Sequence, residues 1–204
     1  VLTGPPSYSG KLSAPRKETH GGVTIQRLRK TQLDKNTPWG RILNGLTFFI
    51  SAFANVLTQD KHARLLIGSD PPFLAALGWI LNKARGQRYL LHIADLYPEL
   101  ATQTGAIQRE SWVDRLWRWV NRRSFRRAEK IITLGEVMRE RIAEYLPLDQ
   151  RDRITVIHNW EDGDRIRPRS KAENWFAKQH GLVDKTVILY SGNMGLAPRL
   201  TSVI

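Results

Sequence analysis

Apolar and polar positions follow two rhythms along this chain. Gly22-Val23-Thr24-Ile25-Gln26-Arg27-Leu28 alternates with period two, the pattern of a half-buried strand. Short apolar runs at residues 63–69, 89–94, 130–134, 153–157 and 187–190 predict further strands. Between them, residues 39–57, 73–83, 112–128, 136–145 and 171–180 carry apolar side chains at helical spacing. Punctuation agrees with these limits: Asp70-Pro71-Pro72 stops one strand, Pro147 ends a helix, and Gly86 and Gly181 lie at helix ends. Residues 1–22, rich in Gly, Pro, Ser and Lys, predict an irregular loop.

Strands alternating with helices imply crossover units, hence an α/β fold: a Rossmann-like parallel sheet with helices on both faces. The charged, proline-containing stretch at residues 161–171 predicts a domain boundary. Residues 1–165 then form one domain, and residues 166–204 begin a second.

Composition narrows the picture. The absence of cysteine excludes disulfides and cysteine–metal clusters, and the five histidines show no metal-ligand spacing. A net charge of +13 favours anionic partners: nucleic acid, anionic lipid or phosphorylated substrates. The longest apolar stretch, residues 43–57, is interrupted by Asn44, Gly45, Thr47, Ser51 and Asn55. It falls short of the roughly 20 residues needed to span a bilayer, so no membrane span is predicted. The chain begins at Val1 and has no signal-peptide pattern, and a missing N-terminus is expected.

Three strand-to-loop junctions could carry chemistry. Asp95-Leu96-Tyr97-Pro98-Glu99 places two carboxylates just past a strand, where open α/β sheets bind ligands. Asp95 or Glu99 could bond a hydroxyl, orient an acceptor or take a proton, or could simply cap the next helix. Ser191-Gly192-Asn193-Met194-Gly195 ends the last predicted strand. It is either a turn whose small residues admit a diphosphate or an ordinary tight turn. His158-Asn159-Trp160 has the same position and reads more readily as a turn between domains, and His92 reads as a core or face residue.

The helix predicted over residues 112–128 differs in kind. At about 100° per residue, Trp112, Val113, Leu116, Trp117, Trp119 and Val120 share one broad face, and Arg115, Arg118, Arg122 and Arg126 gather on another. Tryptophan beside arginine suits the headgroup layer of an anionic membrane, although a core-packed helix with a solvated basic face reads the same way. No nucleic-acid motif accompanies the charge, and no nucleic-acid partner is expected.

Five landmarks occur in order across nearly the whole chain: Gly22-Val23-x-Ile25-x-Arg27, Ser69-Asp70-Pro71-Pro72-Phe73-Leu74, Asp95-Leu96-Tyr97-Pro98-Glu99, Ile154-Thr155-Val156-Ile157-His158-Asn159-Trp160, and Leu189-Tyr190-Ser191-Gly192-Asn193-Met194-Gly195. Together they resemble the family 4 glycosyltransferases of the GT-B fold, especially bacterial members that build surface polysaccharides. The resemblance implies transfer of a sugar from a nucleotide-diphosphate donor to a saccharide or lipid-linked acceptor, with retention at the anomeric carbon and no cofactor or metal. It places the catalytic residues Asp95 and Glu99 on the acceptor side, Asp95 to orient or polarise the acceptor and Glu99 to support that loop, and Ser191, Gly192, Asn193 and Gly195 near the donor diphosphate. It implies a cytoplasmic protein, peripheral on the inner face of the cell membrane, with Trp112, Arg115, Arg118, Trp119, Arg122 and Arg126 toward the lipid. The family's first strand would precede Val1, and most of its donor-binding half would follow Gly195. A truncated chain, inactive alone, is therefore expected. The competing expectation is a non-catalytic, basic membrane-surface or interaction module.

Overall fold

Gly21 and Gly22 both take positive φ, 54° and 79°, forming the two-residue turn that closes a tight hairpin. The turn joins β2 (Lys17–His20) to β3 (Val23–Arg27). β1 (Leu2–Thr3) pairs parallel with β3, giving a small sheet in the order β1-β3-β2. The computed structural model describes residues 1–5, 14–34 and 37–192. The irregular loop expected over residues 1–22 thus contains two strands. Lys17–His20 is too polar to show alternation; pairing with β3 creates it, helped by an Arg27–Glu18 ion pair at 2.5 Å.

α1 (Pro38–Leu57) opens with the Thr37 hydroxyl accepting the Gly40 N–H at 3.1 Å and with proline in its first turn. Gly40, Asn44, Gly45, Phe48, Ala52 and Val56 face inward. Buried Asn44 is satisfied, donating to the Leu33 carbonyl and accepting the Leu33 N–H, both at 2.9 Å. Gly45 permits close approach to the next loop, since a Cβ there would stand 2.9 Å from Phe73 Cζ. At 20 residues and a mean hydropathy of 1.3, α1 is long and apolar enough to cross a membrane by length and composition, although residues 43–57 alone looked too short. A third of it is buried.

The second sheet comprises β4 (Leu65–Gly68), β5 (Tyr89–Ile93), β6 (Ile131–Thr133) and β7 (Ile154–Val156), all parallel and in sequential order. α2 (Ala75–Arg85) connects β4 to β5. α3 (Glu99–Gln103) and α4 (Trp112–Arg127) connect β5 to β6, and α5 (Glu136–Ala143) precedes β7. Right-handed crossovers between consecutive parallel strands put α2, α4 and α5 on one face. Ile67, Tyr89, Leu91, Ile93, Ile131 and Ile154 are buried toward it. There the Tyr89 hydroxyl donates to the Ser124 carbonyl of α4 at 2.5 Å. On the opposite face Leu90, His92 and Ile132 are half-buried, and Leu66 is 66% exposed. The α/β expectation holds, with the strands divided between a mixed sheet and a parallel one.

Beyond β7 two expectations change. The helix expected over residues 171–180 is only α6 (Trp175–Gln179), because Asn174 starts it by accepting the Phe176 and Ala177 N–H groups. The strand expected over residues 187–190 is absent: Ile188 and Leu189 are 82% and 81% exposed. A buried parallel strand needs neighbours to satisfy its backbone, and no described strand pairs with these residues.

Candidate functional site

β4 and β5 end side by side, and the loops leaving their carboxyl ends form an open recess. Its lining is Ser69, Pro72 and Ala75 after β4, Ile93, Asp95, Leu96 and Tyr97 at the end of β5, and Asn121 and Phe125 from α4. This is where a parallel sheet presents ligands, since each strand here hands over to a helix. Asp95 is exposed at the mouth.

Each wall of the recess is held by a polar contact. Ser69 Oγ accepts the backbone N–H of Ala94 at 3.1 Å and of Asp95 at 3.2 Å. Asn121, only 4% exposed, donates its amide to the Tyr97 carbonyl at 2.5 Å. The Tyr97 ring stacks on Trp117 with centroids 5.7 Å apart and planes 10° apart. Burial raises the Tyr97 phenol above its ordinary pKa, the negative charges of Asp95 and Asp70 raise it further, and Arg41 opposes them. Two carboxylates, a phenol and a guanidinium from α1 therefore act within one electrostatic neighbourhood. At the recess, the Asp95 carboxylate can accept a hydrogen bond from a bound hydroxyl and the Tyr97 phenol can donate one.

Glu99 stands behind the Asp95 loop. It does not line the recess; its Oε1 accepts from Arg118 at 2.6 Å and from the Tyr145 hydroxyl at 2.5 Å. Arg118 also donates Nε to Asp114 Oδ1 at 3.0 Å, and Asp114 is 2% exposed. The pKa of Arg118 rises even though its own burial works the other way, because Tyr145, Glu99 and Asp114 together outweigh desolvation. Burial first, then the bond to Glu99, pushes the Tyr145 phenol up.

This ion-pair cluster corrects one expectation about α4 and decides between two readings of its tryptophan face. Arg118, grouped by spacing with Arg115, Arg122 and Arg126, is instead tied to Glu99 and Asp114. The buried face of α4 is Asp114, Asn121, Ser124 and Phe125, not the tryptophan stripe, and Trp112 and Trp119 are 75% and 43% exposed. Polar contacts to the Asp95 loop and to Tyr89 decide the rotation of the helix. Trp119 meets Trp79 of α2 edge-on at 5.4 Å, and the Arg123 guanidinium lies 5.1 Å above its ring.

The remaining candidates are dispersed. Ser191 and Gly192 are exposed and do not line the recess, while Asn193 and Gly195 lie outside the described residues. His158 bonds the Leu134 carbonyl at 2.8 Å through Nδ1, and Trp160 is 84% exposed. Among the described residues no three His, Asp or Glu side chains converge to hold a metal ion. Sequence reasoning missed Ser69, Asp70, Arg41, Tyr97 and Asn121 as site residues. Asp70 lay within the Ser69-to-Leu74 landmark, but nothing in the spacing of α4 marks Asn121 as inward-facing.

Residues 1–160 match the glycosyl transferase 4-like domain. The chain is also similar to a probable glycosyltransferase, WbjE, of Pseudomonas aeruginosa, with 23% identity over 164 residues. That similarity covers 78% of this chain and 40% of the relative, so the chain spans well under half the relative's length. The matched region takes in both sheets and every wall of the recess, and the chain belongs to the glycosyl transferase 4-like domain family.

Proposed function

We propose that this chain supplies the acceptor half of a GT-B, retaining glycosyltransferase of bacterial surface-polysaccharide synthesis. The sugar would come from a nucleotide-diphosphate donor, without a cofactor or metal, and pass to a lipid-linked or saccharide acceptor. The observation that carries this reading is Asp95, exposed at the mouth of a recess at the tips of β4 and β5, in a chain of a glycosyltransferase family. Asp95 orients and polarises the acceptor hydroxyl; the donor's anomeric C–O bond to the diphosphate breaks as the new glycosidic bond forms on the same face, and the departing phosphate oxygen takes the hydroxyl proton. Glu99, through Arg118 and Tyr145, positions the loop that presents Asp95. Ser191 to Gly195 would meet the donor diphosphate once a donor-binding half is in place.

The exposed Trp112, Trp119, Arg115, Arg122 and Arg126 support a place on the cytoplasmic face of the cell membrane, where lipid-linked acceptors are met. Calorimetry on the purified chain tests the central claim. A polyprenyl-diphosphate-linked saccharide is expected to bind wild type at least tenfold more tightly than Asp95→Asn. Equal affinity of the two proteins would remove Asp95 from the acceptor site.

A further inference from the structure

α1 carries an extended exposed apolar surface. Trp39, Ile42, Leu43, Leu46, Ile50 and Leu57 are 74%, 50%, 42%, 45%, 58% and 47% exposed. They recur every three to four residues through most of the helix and follow one another at seven, as one stripe of an α-helix does. No Asp or Glu occurs between Asp34 and Asp60, so the stripe carries no negative charge of its own. A 20-residue helix is about 30 Å long, which makes this a long apolar track.

We infer, resting on the acceptor reading above, that α1 lies in the plane of an anionic lipid surface with this stripe among the acyl chains. Length and composition would also allow α1 to span a bilayer. Its other face forbids that. Asn44 is bonded to Leu33 and Thr31, Asn55 accepts from Gln26 of β3 at 2.7 Å, and Phe48, Ala52 and Val56 belong to the core. Only one side of the helix is available to lipid, and such a helix rests in the interface, buried by about 5–10 Å.

Charge identifies the surface as anionic lipid. The chain has a net charge of +13, and the exposed apolar residues of α4, Trp112, Leu116 and Trp119, stand among Arg115, Arg122, Arg123 and Arg126. α2 connects the two surfaces. Its Arg85 donates to the Val56 and Leu57 carbonyls at the end of α1, at 2.9 and 3.0 Å, and its Trp79 meets Trp119. The first turns of α1 also adjoin the recess, through Gly45 against Phe73 and through Arg41 acting on Tyr97. A lipid-seated α1 therefore sets the recess beside the layer that carries a lipid-linked acceptor.

Vesicle flotation of the purified 204-residue chain tests this, using phosphatidylcholine vesicles with and without 30% phosphatidylglycerol, in about 0.1 M and about 0.5 M salt, a range that shortens the screening length severalfold. Wild type is expected to float with the anionic vesicles. Ile42→Glu/Ile50→Glu, at exposed positions, is expected to keep its circular dichroism and lose at least tenfold in partitioning at both salt concentrations. Arg115→Glu/Arg122→Glu is expected to lose partitioning mainly at low salt. Equal flotation of the isoleucine variant and wild type would overturn the inference, as would a wild type that binds neither vesicle. A wild-type dimer that the isoleucine variant converts to monomer, with flotation unchanged, would assign the stripe to a second copy instead. Saccharide binding at Asp95 is measured separately, so the failure of either reading is distinguishable from the failure of the other.

Discussion

Ser69 holds Asp95 by its backbone: one hydroxyl oxygen at the tip of β4 accepts the Asp95 N–H at 3.2 Å and the neighbouring Ala94 N–H at 3.1 Å. Both lone pairs are then committed, and the hydroxyl proton is left to donate in the recess that Ser69 lines. Strand register alone would leave the start of the Asp95 loop unsupported. The cross-strand bond fixes it.

Ser69→Ala strands both N–H groups, one of which water at the open recess can reach. The expected loss is about 1–2 kcal/mol, read from urea unfolding. Amide exchange at Ala94 and Asp95 is expected to accelerate while the centre of β5 stays protected. Unchanged exchange at both amides would show that the serine does not hold the loop.

Arg118 and Arg122 are both arginines on α4, and their substitutions should separate sharply. Arg118→Ala leaves Glu99 and nearly buried Asp114 without their common cation. Breaking a fully buried pair costs about 3–5 kcal/mol. Arg118 is 32% exposed along its side chain, so water screens part of the loss, and about 2 kcal/mol is expected. Exposed Arg122→Ala is expected to stay within about 0.5 kcal/mol of wild type. Arg118→Lys should recover only part of the loss, because a single ammonium cannot reproduce the two-sided guanidinium geometry. Similar unfolding midpoints for Arg118→Ala and Arg122→Ala would contradict the contrast.

Gly78→Ala sets two effects against each other. Alanine in a helix interior gains about 1 kcal/mol over glycine. The added Cβ would stand 2.6 Å from the Tyr89 ring and 2.8 Å from Ile67 Cδ1, and Tyr89 is wholly buried. Overpacking of this kind costs about 1–3 kcal/mol, and the ring cannot yield without losing its bond to Ser124. The balance is a net loss of up to about 2 kcal/mol, read from thermal unfolding. A stabilised variant would mean that α2 can move off the sheet freely.

These residues also show what was legible in the sequence. The β-α alternation came from patterning, because β5 and β6 bury the apolar runs that a parallel sheet requires. The Asp95 loop came from its place after a strand. Patterning left the tryptophan face of α4 open between core and lipid headgroups; the residues that turn inward are Asp114, Asn121 and Ser124, with Phe125 its one buried aromatic. Hydropathy cannot reveal a polar face that is buried because its partners lie on other elements. The hairpin strand Lys17–His20 was hidden for the same reason, its partner being β3, although Gly21-Gly22 marked the turn. Residues 187–190 had the composition of a strand, but a strand also needs a neighbour to pair with.

Three tyrosines give the fold an alkaline limit. Burial raises the phenols of Tyr89, Tyr97 and Tyr145 above the ordinary value of 10.0; Asp95 and Asp70 add to it at Tyr97, and Glu99 adds to it at Tyr145. A raised folded-state value means that the native protein keeps these protons longer than the unfolded chain does. Their contribution is therefore complete below pH 10 and is lost as pH climbs from there through the folded-state values. Each tyrosine can add a slope of up to about 1.4 kcal/mol per pH unit within that window. Urea midpoints are expected to be level from about pH 8 to 9.5 and to fall steeply above pH 10. Lysines titrate in the same range, so the comparison that isolates one phenol is Tyr145→Phe against wild type. That variant loses about 1 kcal/mol at neutral pH with the bond to Glu99. Above pH 10 it should decline less steeply, and the two curves should converge. Parallel curves up to pH 11.5 would show that Tyr145 ionises as freely in the folded protein as in the unfolded chain.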